Sequence, residues 1–225
     1  MSPYEIKKIK INDPKYPPLL KNISNPPQTL YYIGDFPPRN LYPLAVVGSR
    51  QADNYSQAAI LNILDSDILE KVVIVSGLAE GVDTMAHKIA RHTIAVLGTG
   101  LDEASFYPKK NLSIFKKIIN SGGLIISEYP LGTKAKASHF PERNRIIAGL
   151  SRAVLVVQAK RRSGSLITAR LALENGRDVL AVPGSIFNEL SQGCHFLIAQ
   201  GATPITSSPE IKDILDLNQW LTCYE

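Results

Sequence analysis

Residues 44–50 read LAVVGSR and residues 72–81 read VVIVSGLAEG, two short apolar runs that each end in glycine and serine. A run of this kind bounded by turn residues is typical of a strand buried on both faces, so strands are predicted at Leu44–Val47 and Val72–Val75. The helical spacing of apolar residues in Tyr55–Leu69 predicts a helix between them. Strand, helix and strand in this order indicate a parallel sheet covered by helices.

The same alternation continues along the chain. Further strands are predicted at Thr93–Leu97, Leu124–Ser127, Ala153–Gln158 and Val179–Val182, with a last one near Pro204–Thr206. Helices are predicted at Asp83–Arg91, Pro108–Asn120, Pro141–Leu150, Ser165–Asn175, Gly193–Gln200 and Pro209–Leu217, with Asp83 as the N-cap of the first. The predicted fold class is α/β, an extended Rossmann-like, doubly wound and mostly parallel sheet with helices on both faces.

Proline dominates the first 43 residues, which hold nine of the fifteen prolines in the chain. Because such a density disfavours long helices, these residues are predicted to form an irregular lead-in packed on the core. One short strand, Leu30–Ile33, is expected at an edge of the sheet. The predicted organisation is a lead-in of residues 1–43 followed by a Rossmann-like domain of residues 44–225.

Composition limits the class of protein. With 225 residues, 44% hydrophobic and 20% charged, the chain can bury a substantial core, which excludes a disordered or fibrous protein. The sequence has no signal-peptide pattern and no apolar run long enough for a bilayer, and Cys194 and Cys223 form no CxxC or zinc-ligand spacing. We expect a soluble, cytoplasmic protein with no metal, no cofactor and no membrane partner.

Positive charge is concentrated in the middle of the chain. Residues 134–177 hold ten basic and two acidic residues, a net charge of +8, whereas the whole chain carries +5. The remaining residues are therefore net acidic, and the basic segment predicts an anionic ligand.

Each predicted strand is followed by glycine, hydroxyl or basic residues. These loops contain Gly48-Ser49-Arg50, Ser76-Gly77, Gly98-Thr99-Gly100, Ser127-Glu128, Lys160 with Ser163-Gly164-Ser165, and Pro183-Gly184-Ser185. In a doubly wound sheet the ligand lies beyond the carboxyl ends of the strands, where N–H groups at helix N-termini favour phosphate. Glycine and serine also serve turn geometry alone, but their repetition at five or six strand ends favours an anion-binding crevice.

Motifs of two nucleotide-binding classes are missing. The turn after Val47 departs from GxGxxG, and no glycine is followed by Lys and then Ser or Thr, which disfavours a nicotinamide-dependent oxidoreductase and a Walker-type NTPase. His87 is expected to be a packing or surface residue rather than a base. Glu128 and Glu142 are candidate bases if the protein cleaves a nucleotide, and capping or ion pairing is their alternative role.

Residues 138–145, SHFPERNR, combine aromatic, cationic and amide groups at the start of a predicted helix. Arginine forks bind phosphates, and an aromatic ring beside them is how proteins hold single strands without reading sequence. Phe140 either stacks on a base or packs in the core. Arg143 either contacts the ligand or pairs with Glu128 or Glu142; cations outnumber acids here, which favours the ligand role for Arg143 and Arg50.

Several ordered motifs together resemble the DprA/Smf family of DNA-processing proteins. They cover nearly the whole chain: Asp13–Leu20, Leu30–Asp35, Val46–Arg50, Val75–Asp83, Thr93–Gly100, Ser127–Pro130, Phe140–Ile147, Ser163–Arg170 and Ala181–Gly184. The resemblance implies a sequence-independent single-stranded DNA-binding protein that protects incoming DNA, loads a RecA-type recombinase in natural transformation and works as a homodimer. It implies no catalytic turnover. Many members carry a winged-helix module after the Rossmann unit, and no separate winged-helix domain is expected within this chain. The alternative is a nucleotide-binding or nucleoside-monophosphate-cleaving Rossmann protein. The proteins that cleave nucleoside monophosphates have a PGGxGT loop, and Pro183-Gly184-Ser185 in this chain does not continue into that motif.

Residue by residue, the resemblance assigns DNA contacts to Arg50, Phe140, Arg143 and Arg145. A lysine that the family often has three residues before the aromatic is replaced by Ala137, so that Lys136 or Lys134 is expected to substitute. Together with the loops above, the predicted DNA-binding residues are Gly48, Ser49, Arg50, Ser76, Gly77, Lys136, His139, Phe140, Arg143, Asn144, Arg145, Lys160, Ser163 and Gly164. The implied dimer and recombinase surfaces fall among Leu166, Ile167, Leu171, Leu173, Phe187, Leu190, Phe196 and Leu197, for which the alternative is the core.

Overall fold

One mixed sheet runs through the protein, as seen in a computed structural model that describes residues 4–216. Its strands are β1 (Lys7–Lys10), β2 (Thr29–Ile33), β3 (Tyr42–Val47), β4 (Val72–Ser76), β5 (His92–Leu97), β6 (Leu124–Ser127), β7 (Ala153–Val156), β8 (Asp178–Ala181) and β9 (Thr203–Pro204). Their order is β1-β2-β6-β5-β4-β3-β7-β8-β9, parallel from β6 to β9, with antiparallel pairing of β2 to β6 and of β1 to β2.

Helices cover both faces of this sheet. They are α1 (Pro18–Lys21), α2 (Asn54–Ile63), α3 (Ser66–Lys71), α4 (Val82–Ile89), α5 (Leu112–Asn120), α6 (His139–Leu150), α7 (Gly164–Glu174), α8 (Gln192–Ala199) and α9 (Ser208–Ile214). Successive strand residues face opposite sides of the sheet, so the core has a layer on each face. The helices α1, α6, α7 and α8 pack on one face, and α2 to α5 with α9 pack on the other. The predicted α/β class is confirmed, with nearly every strand residue from β3 to β7 buried.

The order of the strands creates a switch point between β3 and β7. From β3 the chain builds β4, β5 and β6 to one side, and α6 then carries it back so that β7 pairs with β3 on the other side, with Leu44 opposite Ala153. Because successive connections leave this point in opposite directions, a crevice opens beyond the carboxyl ends of β3 and β7.

The lead-in is more regular than expected. Lys7–Lys10 forms β1, which sequence analysis missed because two of its four residues are exposed and it has no apolar run. The expected edge position of Leu30–Ile33 is wrong, since β2 lies between β1 and β6. Tyr16 and Leu20 are buried in the same core as α6, and a side chain at Gly149 would crowd Leu20.

Several predicted helix boundaries differ from the structure. The predicted helix Tyr55–Leu69 is two helices, because the Asp65 carboxylate accepts from the Ile68 N–H at 2.9 Å and starts α3. Asp83 is not an N-cap: α4 begins after Gly81, and the Asp83 carboxylate accepts from the Gly77 N–H at 3.0 Å. The predicted end of the last helix, Leu217, lies outside the described residues. No helix within residues 4–216 is long and apolar enough to cross a membrane.

His87 lies on α4 and is 3% exposed, packed beneath the sheet. Its Nδ1 is 2.7 Å from the Thr93 hydroxyl, which itself donates to the Ile74 carbonyl, so the imidazole donates to Thr93. Burial, helped by the charge of Arg143, lowers the pKa of His87 to about 3. The histidine is therefore a neutral packing residue at physiological pH, one of the two roles expected of it.

Replacement of Leu20 by alanine is expected to destabilise the whole domain. Leu20 is fully buried, and Leu→Ala substitutions at such positions lower the free energy of unfolding by about 2–5 kcal/mol. Leu61→Ala, at a 53% exposed position on α2, is the matched control and should change it by less than about 0.5 kcal/mol. Urea titrations followed by circular dichroism measure both; an unchanged midpoint in Leu20→Ala would show that the lead-in does not share the core.

Acid should weaken the fold through His87. The unfolded state takes up a proton near pH 6.5 whereas the folded state resists it to about pH 3, so this contribution is complete above pH 6.5 and declines as the pH falls. The loss approaches about 1.4 kcal/mol per pH unit within that window. In urea titrations at pH 7, 6, 5 and 4, His87→Gln should lose less stability per pH unit than the wild type. Equal slopes would contradict the buried neutral imidazole.

Candidate functional site

A cleft of about 890 Å³ lies at the switch point between β3 and β7. Three groups of residues form its wall: the turn after β3, the start of α6 with the segment before it, and the loop that leads from β7 into α7. The predicted site residues among them are Gly48, Ser49, Arg50, Lys136, Phe140, Arg143, Asn144, Lys160, Ser163 and Gly164. The topology thus gathers residues that are far apart in the sequence at the carboxyl edge of the sheet.

The turn after β3 holds Arg50 at the rim of the cleft. The Ser49 N–H donates to the Gln158 carbonyl at 2.7 Å, and the Ser49 carbonyl accepts from the Val82 N–H at 3.1 Å. Gly81 has a φ of +76°, and a side chain there would collide with the Ser49 carbonyl. This bracing of the turn on both sides leaves the Arg50 side chain exposed to solvent.

Phe140 forms an aromatic platform next to Arg50. The Arg50 guanidinium carbon lies 5.4 Å from the centre of the Phe140 ring, and the Tyr107 ring lies 5.9 Å from it on a tilted plane. The ring is half-buried and lies close to Gly98, where an added Cβ would come within 3.3 Å of it. Phe140 therefore lines the cleft, and it also borders a side pocket of about 180 Å³ with Tyr107 and Arg50.

Arg143 forms the floor of the cleft. It is 4% exposed, and its guanidinium donates to the Gly77 carbonyl at 2.7 Å and to the Val96 carbonyl. Burial lowers the pKa of Arg143 to about 10, although the nearby Asp83 carboxylate opposes that shift. The guanidinium stays charged at neutral pH, and one of its nitrogens, Nη1, makes both of these hydrogen bonds within the fold. It makes neither of the expected ion pairs, with Glu128 or Glu142.

Three basic side chains of the cleft have no acidic partner. Within residues 4–216, Arg50, Lys136 and Arg162 are exposed and take part in no ion pair, whereas Lys160 binds the Glu189 carboxylate at 2.7 Å. The helix α7 begins at Gly164, and because Gly164 and Ser165 line the cleft, the first N–H groups of α7 lie at the cleft. Helix N-termini and unpaired cations both favour an anion, so this wall is suited to bind phosphate groups.

Four predicted site residues lie elsewhere or are already occupied. Ser76 is fully buried, and its hydroxyl donates to the Val46 carbonyl at 2.7 Å, which ties β4 to β3. The His139 ring stacks on Tyr129 with centres 4.1 Å apart. Arg145 lies outside the cleft lining, where one of its nitrogens donates to both oxygens of Glu128 at 2.6 Å. Gly77 lies under the Arg143 guanidinium, which leaves no room for a side chain.

Gln51, Tyr107 and Arg162 also line the cleft but are not among the predicted DNA-binding residues. Arg162 was detectable, because it directly precedes the Ser163-Gly164 start of α7 within the basic segment. Tyr107 follows β5 by ten residues and carries no local signal; only the folded loop brings it to Phe140.

The candidate bases do not converge on this cleft. Glu128 is bound to Arg145, and Glu142 is exposed and accepts from the Tyr129 hydroxyl at 2.8 Å; neither lines the cleft. No group of three or more His, Cys, Asp or Glu side chains that would suit a metal ion occurs in the part of the chain that the structure describes.

Only two of the hydrophobic residues considered for protein contacts are exposed. Leu173 is 57% and Phe187 92% exposed, and Leu197 is buried in the core. The others are half-buried: Leu166, Ile167, Leu171, Leu190 and Phe196.

Comparison with known proteins agrees with the fold. A family model described as DNA recombination-mediator protein A matches residues 7–217. The X-ray structure of DNA processing protein A from Streptococcus pneumoniae superposes with a TM-score of 0.85 at 44% identity, over 92% of this chain and 73% of that one. A Helicobacter pylori structure, described for the single-stranded DNA binding mode of its DNA processing protein A, gives 0.82 at 28% identity over the full length of both chains.

Curated relatives extend the match. DNA processing protein DprA of Streptococcus pneumoniae is 46% identical over 205 residues, which are 89% of this chain and 71% of that protein. Protein Smf of Escherichia coli is 43% identical over 211 residues, 92% of this chain but 56% of that protein, so the chain spans only part of these relatives. With a family model that covers nearly all of its length, the chain belongs to the DNA recombination-mediator protein A, or DprA/Smf, family.

Proposed function

We propose that the protein binds single-stranded DNA in the cleft between β3 and β7 without reading its sequence. The observation that carries the proposal is that three exposed cations in no ion pair within residues 4–216, Arg50, Lys136 and Arg162, line the same cleft as the Phe140 ring. A cationic groove with an aromatic ring is the usual arrangement for sequence-tolerant binding of single strands. The single-stranded DNA binding for which the Helicobacter pylori structure is described supports the same ligand.

In this proposal, different residues of the cleft contact the phosphates and the bases of the DNA strand. Arg50, Lys136 and Arg162 neutralise phosphates, and the first N–H groups of α7 donate hydrogen bonds to a further phosphate oxygen. The exposed part of the Phe140 ring offers a stacking face to one base. The amide nitrogen of Asn144, a predicted contact residue at the cleft, already donates to the Gly164 carbonyl at 3.2 Å and is not free to read a base edge.

Membership of a recombination-mediator family supports a wider role. We propose that the bound strand is protected and passed to a RecA-type recombinase, that the protein acts as a cytoplasmic homodimer, and that it does so without catalytic turnover. Sedimentation of the purified protein tests the dimer. Incubation with nucleoside monophosphates tests the turnover: released base, lost in Glu128→Gln or Glu142→Gln, would favour a nucleotide-cleaving enzyme.

Loss of Arg50 should weaken DNA binding, whereas loss of Arg143 should lower the stability of the fold. Arg50→Ala is expected to raise the Kd for an oligothymidylate about tenfold, the loss of one charge-assisted contact, with no change in melting temperature. Arg143→Ala leaves the Gly77 and Val96 carbonyls without their buried donor and should lower the free energy of unfolding by at least about 2 kcal/mol. Fluorescence anisotropy and thermal melting separate the two; wild-type affinity in Arg50→Ala contradicts the proposed site.

The salt dependence of DNA binding should show how many phosphates the cleft contacts. For single strands, log K falls by about 0.7 for each phosphate per unit of log[salt], so Lys136→Ala and Arg162→Ala should each reduce the slope by about that amount. Arg170→Ala removes the same charge from the exposed side of α7, where Arg170 is 3.5 Å from Glu174, and is the matched control. A slope that is unchanged in Lys136→Ala and Arg162→Ala would place the phosphates elsewhere.

A further inference from the structure

The turn after β8 carries the most exposed aromatic side chain of the described residues. Phe187 is 92% exposed, and its neighbour Ile186 is 74% exposed. Within residues 4–216, no aromatic ring or cation packs against Phe187. Ile186 and Phe187 together form an exposed apolar tip, which is available to a binding partner.

The turn that holds Phe187 is firmly fixed, although its tip is uncovered. The Asn188 side chain accepts from the Leu190 N–H at 2.9 Å and donates to Asp53 at 3.3 Å. At the other end, the Tyr55 hydroxyl donates to the Pro183 carbonyl, and the His195 imidazole lies 2.9 Å from the Gly184 carbonyl. The main chain on both sides of the tip is thus anchored to α2 and α8, which fixes where the Phe187 side chain leaves the backbone.

This turn lies on the same edge of the sheet as the cleft. The cleft residue Lys160 binds Glu189, two residues from Phe187, and the Ala159 N–H donates to the Leu190 carbonyl at 2.6 Å. Phe140 lies over the end of β5 and Phe187 follows β8, four strand positions away. The ends of β3 and β7, whose following loops carry Arg50, Lys160 and Arg162, lie between these two strand ends.

We propose that Phe187 is a second base-stacking platform, for a nucleotide further along the strand whose phosphates cross the β3–β7 cleft. This inference rests on the proposed binding of single-stranded DNA and adds the direction of the strand, across the carboxyl ends of β5, β4, β3, β7 and β8. A polyanion with planar apolar bases matches an aromatic ring beyond a row of cations. A protein partner matches less well, because a two-residue tip is far smaller than the roughly 800 Å² per partner of a stable interface.

Oligonucleotide length provides the test. Anisotropy titrations with labelled oligothymidylates of about four and about sixteen nucleotides compare the wild type with Phe187→Ala, Phe187→Trp and the control Leu173→Ala, an exposed apolar position on α7. Phe187→Ala should weaken binding of the longer strand about fivefold or more and leave the shorter one unchanged. Phe187→Trp should bind the longer strand at least as well as the wild type, and Leu173→Ala should bind both strands as the wild type does.

Other outcomes overturn the inference. If Phe187→Ala binds the longer strand with wild-type affinity, Phe187 is not a second stacking platform. If the substitution weakens binding of both lengths equally, Phe187 acts on the same nucleotides as the Phe140 platform. Loss of the dimer in Phe187→Ala, with unchanged affinity, would assign the ring to a protein contact. Failure of the proposed function is distinct, since the wild type itself would then bind neither strand. Melting temperatures should not differ between the wild type and Phe187→Ala, because the side chain is almost fully exposed.

Discussion

The donation of the Arg143 guanidinium to the carbonyls of Gly77 and Val96 is the interaction on which the cleft depends. It ties the start of α6 to the ends of β4 and β5, and so fixes the backbone that carries Phe140. A buried cation is tolerated there because two carbonyls and the nearby Asp83 offset the lost hydration. Gly77 is needed for the same reason, since any side chain would occupy the space of the guanidinium.

The fold was largely predictable, because the strands from β3 to β8 are short apolar runs that turn residues follow along the chain. A run of this kind indicates a strand that is buried in a sheet. What sequence analysis missed depended on tertiary contacts. The strand β1 exists because β2 offers it an edge, and its own KKIK sequence carries no apolar run. The break between α2 and α3 depends on one capping carboxylate, Asp65, inside a pattern that is otherwise continuous.

The site was predicted less completely, because sequence shows where charge lies along the chain and not which way it faces. The basic segment of residues 134–177 divides in the structure into three kinds of cation. Arg143 supports the fold from within, Arg145 and Arg170 are bound to carboxylates, and Lys136 and Arg162 remain free at the cleft. Of the six strand-end loops quoted from the sequence, those after β3 and β7 supply predicted residues to the cleft, because the switch point lies between these two strands.

The pairing of β3 with β7, which places Leu44 opposite Ala153, also determines when the cleft can form during synthesis. The turn that bears Arg50 leaves the ribosome early, yet its opposite wall, the loop from β7 into α7, is made more than a hundred residues later. At roughly 5–20 residues per second, the nascent chain spends several seconds with one wall of the cleft exposed and the other not yet translated. A growing chain therefore has no complete cleft before α7 emerges.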